Sequence, residues 1–183
     1  MAKIEEAFGK LMKLEFNSAT NALEYNVGEK GYTFMGIYEV AHPEFEGWSI
    51  IKAELAKGDK VKASVACYNN LVLRSMVIKF YKREFWDRMR LDEVVPQHTA
   101  EEMLVFGVNA GIKSAVKAAQ EVVGVDADGV IGSKTIAALN GYDVAKFDAE
   151  YDKKEIAHYE MLVAKNPSFE RNIKGWKNRA VAV

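Results

Sequence analysis

The sequence predicts a mainly helical α+β protein, with a small β-hairpin near residues 31–38 and a helical C-terminal half. Three observations carry that reading. Apolar residues recur at three- and four-residue spacing over most of the 183 residues, the pattern of amphipathic helices. Strand-favouring aromatics stand between glycines in Gly31-Tyr32-Thr33-Phe34-Met35-Gly36-Ile37. No internal repeat, low-complexity tract or flexible linker interrupts the chain.

The first helix runs from Lys3 to Glu15, with Ile4, Phe8, Leu11 and Glu15 on one face. A carboxylate in the last turn of a helix meets the negative end of the helix dipole. Desolvation would add to that effect, and both favour the protonated form that a general acid needs. The same residue could equally turn out to water at a frayed end. Residues 17–30 form a polar loop punctuated by Asn17, Asn21, Asn26 and Gly28, and carry Glu24 and Glu29. In the hairpin that follows, alternation puts Tyr32, Phe34 and Gly36 on one side, and Thr33 and Met35 on the other.

Ser49 to Lys57 reads as a short helix stopped by Gly58. Asp59 then caps a longer helix, with Val61, Val65, Tyr68 and Val72 on one stripe, running to about Lys82. Pro96 marks a boundary. Thr99 and Glu102 have capping-box spacing at the start of a helix through Met103, Phe106 and Val108. Asn109-Ala110-Gly111 ends or kinks it, and a further helix covers Ile112 to Val123. The turn from Gly124 to Gly132 carries Asp126, Asp128 and Gly129 but lacks the closing glutamate of a calcium loop, so it reads as an Asx-type turn. Ser133 caps a short helix through Leu139. Another helix spans Asp143 to Lys165, and Ser168 or a residue near it starts a last one containing Phe169, Ile173 and Trp176.

Composition excludes several functions. Apolar residues make up 49% and charged residues 28% of the chain, with a formal net charge of −1. That balance gives no electrostatic case for nucleic acid. No apolar run approaches the ~20 residues of a membrane span, so no stable membrane insertion is expected. The opening MAKIEEAFGK puts acids where a secretion signal carries its apolar core, so synthesis in the cytoplasm without a signal peptide is expected, with action after release. Cys67, the single cysteine, has no internal disulfide partner and lies on an apolar helix stripe.

There is no dinucleotide fingerprint, phosphate loop or Gly-x-Ser-x-Gly elbow. His42, His98 and His158 are far apart in sequence and read as structural. No metal or cofactor is expected, and carboxylate chemistry remains.

Several words of this sequence carry a family resemblance. Phe106-Gly107-Val108-Asn109-Ala110-Gly111, Ala118-Ala119-Gln120 and the run from Gly124 to Thr135 resemble a predicted peptidoglycan-binding domain. So does the ending, Asn166-Pro167-Ser168-Phe169 and Gly175-Trp176-Lys177-Asn178-Arg179. That domain accompanies the lysozyme-like glycoside hydrolase family 108. Leu14-Glu15-Phe16-Asn17, the 31–38 element, and Tyr81 with Phe85-Trp86-Asp87 resemble that family's catalytic lobe. Two glycines that follow the acid in the family are absent here, and the loop to Thr33 is longer.

The resemblance implies a lysozyme-like catalytic lobe over 1–95 and a peptidoglycan-binding-like helical lobe over 96–183, packed as one unit. It implies a monomeric N-acetylmuramidase of phage endolysin type, cutting the β-1,4 bond of peptidoglycan glycan strands. Glu15 would be the general acid, and Thr33 would position the attacking water. Glu29 or Glu24 would activate that water, with Glu29 preferred because it sits closer to the Gly31–Thr33 turn. Tyr32 and Asn109 are the candidate substrate-binding residues. The lost glycines leave an alternative, a catalytically decayed peptidoglycan-binding or secretion-helper protein.

Overall fold

The computed structural model describes residues 1–16, 18–25, 28 and 30–183. Among them are nine α-helices and a three-stranded antiparallel sheet, so the mainly helical reading with one small hairpin holds. No helix among the described residues is long and apolar enough to cross a membrane. Helix α1 covers Ile4–Glu15, with Glu5 and Glu6 in its first turn and Lys13 in its last, charges that complement the helix dipole.

Two compact units divide the chain: Met12–Lys82, and Met1–Leu11 together with Arg83–Val183. Within the second of these, bonds between residues far apart in sequence join the N-terminus to later segments. The Ala2 N–H donates to Val94 O at 2.8 Å, the Lys3 N–H to Gln97 Oε1 at 2.7 Å, and Lys10 Nζ lies 2.7 Å from Glu101 Oε2.

In the Met12–Lys82 unit, β1 (Leu23–Glu24), β2 (Thr33–Phe34) and β3 (Ile37–Tyr38) pair in that order. Leu23 faces Phe34 and Glu24 faces Thr33 across the first ladder; Phe34 faces Ile37 across the second. Leu23, Phe34 and Ile37 are buried, which sets the inner face. Met35 and Gly36 form the two-residue turn, with φ of 47° and 78°, the doubly left-handed form that suits a tight hairpin. They are therefore not strand positions, as simple alternation would have it. Met35 tolerates this strained backbone because its N–H donates to Ala22 O at 2.8 Å and its carbonyl accepts from Tyr81 Oη at 2.8 Å.

Three helices follow, α2 (Trp48–Leu55), α3 (Lys60–Tyr68) and α4 (Leu71–Tyr81), with α3 packed on α2, α4 and β1. Asp59 caps α3 by accepting the Lys62 N–H, as its position predicts. The single long helix expected from Asp59 to Lys82 is two, because the Asn70 side chain accepts the Leu73 N–H and starts α4 afresh. The Val61–Val72 stripe is not core: Val61 is 50% and Val72 60% exposed, while Ala63, Ser64 and Cys67 are buried. Ser64 Oγ accepts the Leu23 N–H at 3.0 Å and donates to Ala19 O at 2.6 Å. One buried hydroxyl thus ties the start of the sheet to α3.

The other unit holds α5 (Gln97–Ala110), α6 (Ile112–Val122), α7 (Ser133–Gly141), α8 (Val144–Lys165) and α9 (Glu170–Ala180). Helices α5, α6 and α8 pack on one another, and α9 packs on α8. Phe106 meets the rings of Tyr151 and Tyr159 edge-on at 5.8 and 5.9 Å. Gly111, at φ 87°, separates α5 from α6 where the sequence placed an end or kink. The Asp128 turn is held as an Asx-type turn: Oδ1 accepts the Val130 N–H at 2.8 Å and a Gln120 amide N–H at 2.8 Å.

Two expected caps differ, and the start of the last helix gains one. Helix α5 starts behind Pro96 with no side-chain cap, and Thr99 and Glu102 are both buried, so the apolar face outcompetes the capping box. Gly132, not Ser133, occupies the N-cap of α7. Asn166 caps the last segment by accepting the Ser168 N–H at 3.1 Å.

Candidate active site

Within the Met12–Lys82 unit lies a cleft of about 390 Å³. Glu15, the last residue of α1, lines it, and so do Glu24 of β1 and Thr33 of β2. Phe16, Ser18, Asn21 and the Met35-Gly36 turn complete the walls with Ala22. Glu15 and Thr33 are half-buried and Glu24 is exposed. Residues distant in sequence meet here for a local reason. The helix ends where the sheet begins, and the β1–β2 register puts Glu24 directly opposite Thr33.

Tyr81 braces the Met35-Gly36 turn from behind the cleft lining. Its hydroxyl is buried, donates to Met35 O at 2.8 Å, and would lie 2.6 Å from any Cβ added at Gly36. Its ring sits 6.5 Å from that of Phe16, the residue after Glu15. Burial, and then the negative charge of Glu15, hold this phenol well above its ordinary range, so it stays a hydrogen-bond donor. Glycine is required at position 36 twice over, by φ and by the Tyr81 hydroxyl.

The sequence candidates distribute unevenly. Glu15 and Thr33 share the cleft. Glu29 lies outside the described residues. Glu24, the other loop acid, is in the cleft wall. Tyr32 is not among the lining residues; its N–H donates to Glu39 Oε2 at 3.1 Å, and its ring packs edge-on to Tyr25 at 5.0 Å. The Lys52 ammonium, hydrogen-bonded to Glu39, and then the Tyr32 N–H keep the Glu39 carboxyl below its usual range. Asn109 lies in the last turn of α5, where its amide donates to Val105 O at 2.9 Å. Ser18 and Asn21 line the cleft as well; Asn21 read from the sequence only as a turn former, and Ser18 carried no signal.

The helical unit carries a second, shallower cleft of about 490 Å³, lined by Phe106, Lys117, Glu121, Lys154, His158 and Met161 among others. Lys154 and Glu121 pair across it at 2.6 Å.

Residues 26–111 match the family model Glycosyl hydrolase 108, and residues 114–181 match the Predicted Peptidoglycan domain. The first match begins after Glu15, so that residue's role rests on the cleft and on the helix it ends. No curated protein matches the chain. Among solved structures, the Structure of Brucella abortus SagA is similar at a TM-score of 0.60 and 24% identity, over 98% of this chain and 94% of that one. That likeness shows the fold. The two family matches, in the order that the motifs indicated, support a peptidoglycan hydrolase: residues 26–111 are similar to glycosyl hydrolase 108, and residues 114–181 to a predicted peptidoglycan domain.

Proposed function

We propose that the protein is an N-acetylmuramidase that hydrolyses the β-1,4 glycosidic bond of peptidoglycan. One observation carries this reading: a carboxylic acid at a helix end shares a single cleft with a threonine and a second acid paired across a ladder. Glu15 donates its proton to the glycosidic oxygen as the bond to the sugar breaks. A water held by the Thr33 hydroxyl adds to the anomeric carbon from the opposite face, and Glu24 accepts that water's proton. Glu29 is the other loop acid on the same connection. The second cleft, between α5, α6 and α8, offers apolar walls with an ion pair at its mouth. That chemistry suits an acetamido sugar or a stem peptide, and extends the grip on the strand. We place the enzyme in a phage-type endolysin setting, where it reaches the wall after release.

Purified peptidoglycan is incubated with the wild type and with Glu15→Gln, and the soluble fragments are analysed by reducing-end assay and mass spectrometry. The expected products end in a reducing N-acetylmuramic acid, and the variant releases almost none. Ends of the 1,6-anhydro form would mark a lytic transglycosylase instead. Intact binding to sacculi with no products from the wild type would leave a wall-binding protein.

A further inference from the structure

A second cluster of chemistry lies in the helical unit and belongs to neither cleft. His98 and Glu102 are four residues apart on α5, so both project from one face. Asp148 comes from the first turns of α8. His98 Nε2 lies 2.8 Å from Asp148 Oδ1 and 3.8 Å from Glu102 Oε1. One ligating atom from each of the three falls within 4.8 Å of the others.

Glu102 is the anomaly. It is 1% exposed, and neither carboxylate oxygen has a hydrogen-bond partner. A buried carboxylate without a partner is strongly disfavoured. The His98 ring nitrogen, 3.8 Å away, is already engaged by Asp148. The surroundings worsen the imbalance: Asp152 and Glu155 on α8 each bury an oxygen without a partner, and Lys10 is committed to Glu101. Arg179 is the cation that acts on Glu155. Pairing His98 with Asp148 therefore leaves the deepest acid unsatisfied, whereas one cation held by all three would satisfy it.

We propose that His98, Glu102 and Asp148 bind a divalent transition-metal cation of the zinc class, clasping α5 to α8. One imidazole nitrogen with two carboxylate oxygens is a donor set for such a metal rather than for calcium or magnesium, which take oxygen ligands. Bonds of about 2.0–2.2 Å in a tetrahedron put ligand atoms roughly 3.4 Å apart. The 2.8 and 3.8 Å separations bracket that distance and the third pair lies within 4.8 Å, so side-chain rotation can bring the three atoms onto one ion. His98 and Asp148 are partly exposed, with side-chain exposures of 30% and 42%, which leaves a route in for the ion and an open position for water. The inference is independent of the proposed muramidase chemistry.

The test uses the full chain, dialysed against EDTA and then titrated calorimetrically with zinc chloride. One ion per chain binds with Kd near or below about 10 μM, and the melting temperature rises by about 5 °C at roughly one hundred times Kd. Cobalt chloride gives the visible d–d bands of a low-coordinate site. His98→Ala and Asp148→Asn each weaken binding at least about tenfold, His42→Ala leaves it unchanged, and calcium and magnesium do not compete. No saturable zinc binding and no cobalt bands in the wild type overturn the site. So does equal zinc affinity in the wild type and the two ligand variants. Should His98→Ala fail to fold, the cobalt spectrum of the wild type against that of Asp148→Asn decides.

Discussion

Glu24 and Thr33 are direct cross-strand partners in the β1–β2 ladder, and both open into the cleft that Glu15 closes from the helix side. Residues opposed in this way carry Cβ atoms about 5 Å apart on one face of the sheet. The pair is therefore suited to hold one water between a hydroxyl and a carboxylate. Replacing Glu24 by Gln should lower the turnover number by about 100-fold, the scale of a lost general base, with an unchanged melting temperature because the side chain is exposed. Thr33→Ala should have a smaller effect in the same direction. Steady-state release of reducing ends from purified peptidoglycan reads both. Full activity in Glu24→Gln would move the role to another carboxylate, Glu29 first.

Glu15→Gln keeps the shape of the cleft and removes the transferable proton. Hydrolysis should fall by about 10²–10⁴-fold, while far-ultraviolet dichroism and the thermal midpoint stay at wild-type values. A variant that clears sacculi as fast as the wild type would remove Glu15 from the mechanism.

The hydroxyl of Tyr81 donates to the Met35 carbonyl in a turn with two positive φ values. Tyr81→Phe should cost about 1–3 kcal/mol, the penalty of leaving a buried acceptor unsatisfied, read as a shift in urea midpoint at constant slope. Gly36→Ala should be worse for activity, since the new methyl would meet both the Tyr81 hydroxyl and the Phe16 ring. Wild-type kinetics in Gly36→Ala would show that this turn does not set the cleft.

Ser64 is fully buried and serves the Leu23 N–H and the Ala19 carbonyl at once. Ser64→Ala leaves the buried Leu23 N–H without its acceptor and the half-buried Ala19 carbonyl without its donor, and should destabilise by about 1–3 kcal/mol. Hydrogen exchange should localise the damage: the Leu23 amide loses its protection, while amides of α6 and α8 keep theirs.

Stability should fall as pH rises, in protein kept metal-free with EDTA. Burial, and then the charge of neighbouring Glu102, push the Glu155 carboxyl from 4.5 up to about 9. Between those values the folded chain holds a proton that the unfolded chain has released. The contribution is thus fully present below about 4.5 and is lost progressively as pH climbs toward 9. Urea midpoints measured from pH 5 to 9 should decline, and Glu155→Gln, neutral throughout, should flatten the decline. Parallel declines in both proteins would sink this account.

Much of the framework was legible along the chain because it is built from local rules. The Asp59 cap, the Gly111 break and the Asx turn at Asp128 each follow from a few consecutive residues. So did the placement of Glu15 at the end of a helix and of a hairpin over the 31–38 stretch. Where two local signals competed, the outcome depended on packing. Thr99 and Glu102 had the spacing of a capping box, yet their face of α5 is buried. The valine stripe of α3 and α4 had a helical period, yet Asn70 restarts the helix and turns Val72 outward.

The sequence by itself determined the helices, the hairpin, the family words and the acid at the helix end. Only the tertiary structure decided that Glu24 stands opposite Thr33, and that Glu102 is buried beside His98 and Asp148 without a hydrogen-bond partner. Periodicity encodes which face of an element is apolar. It carries no information on which distant segment will supply the partner for a polar group on that face, because register and long-range hydrogen bonds are settled only when the segments pack.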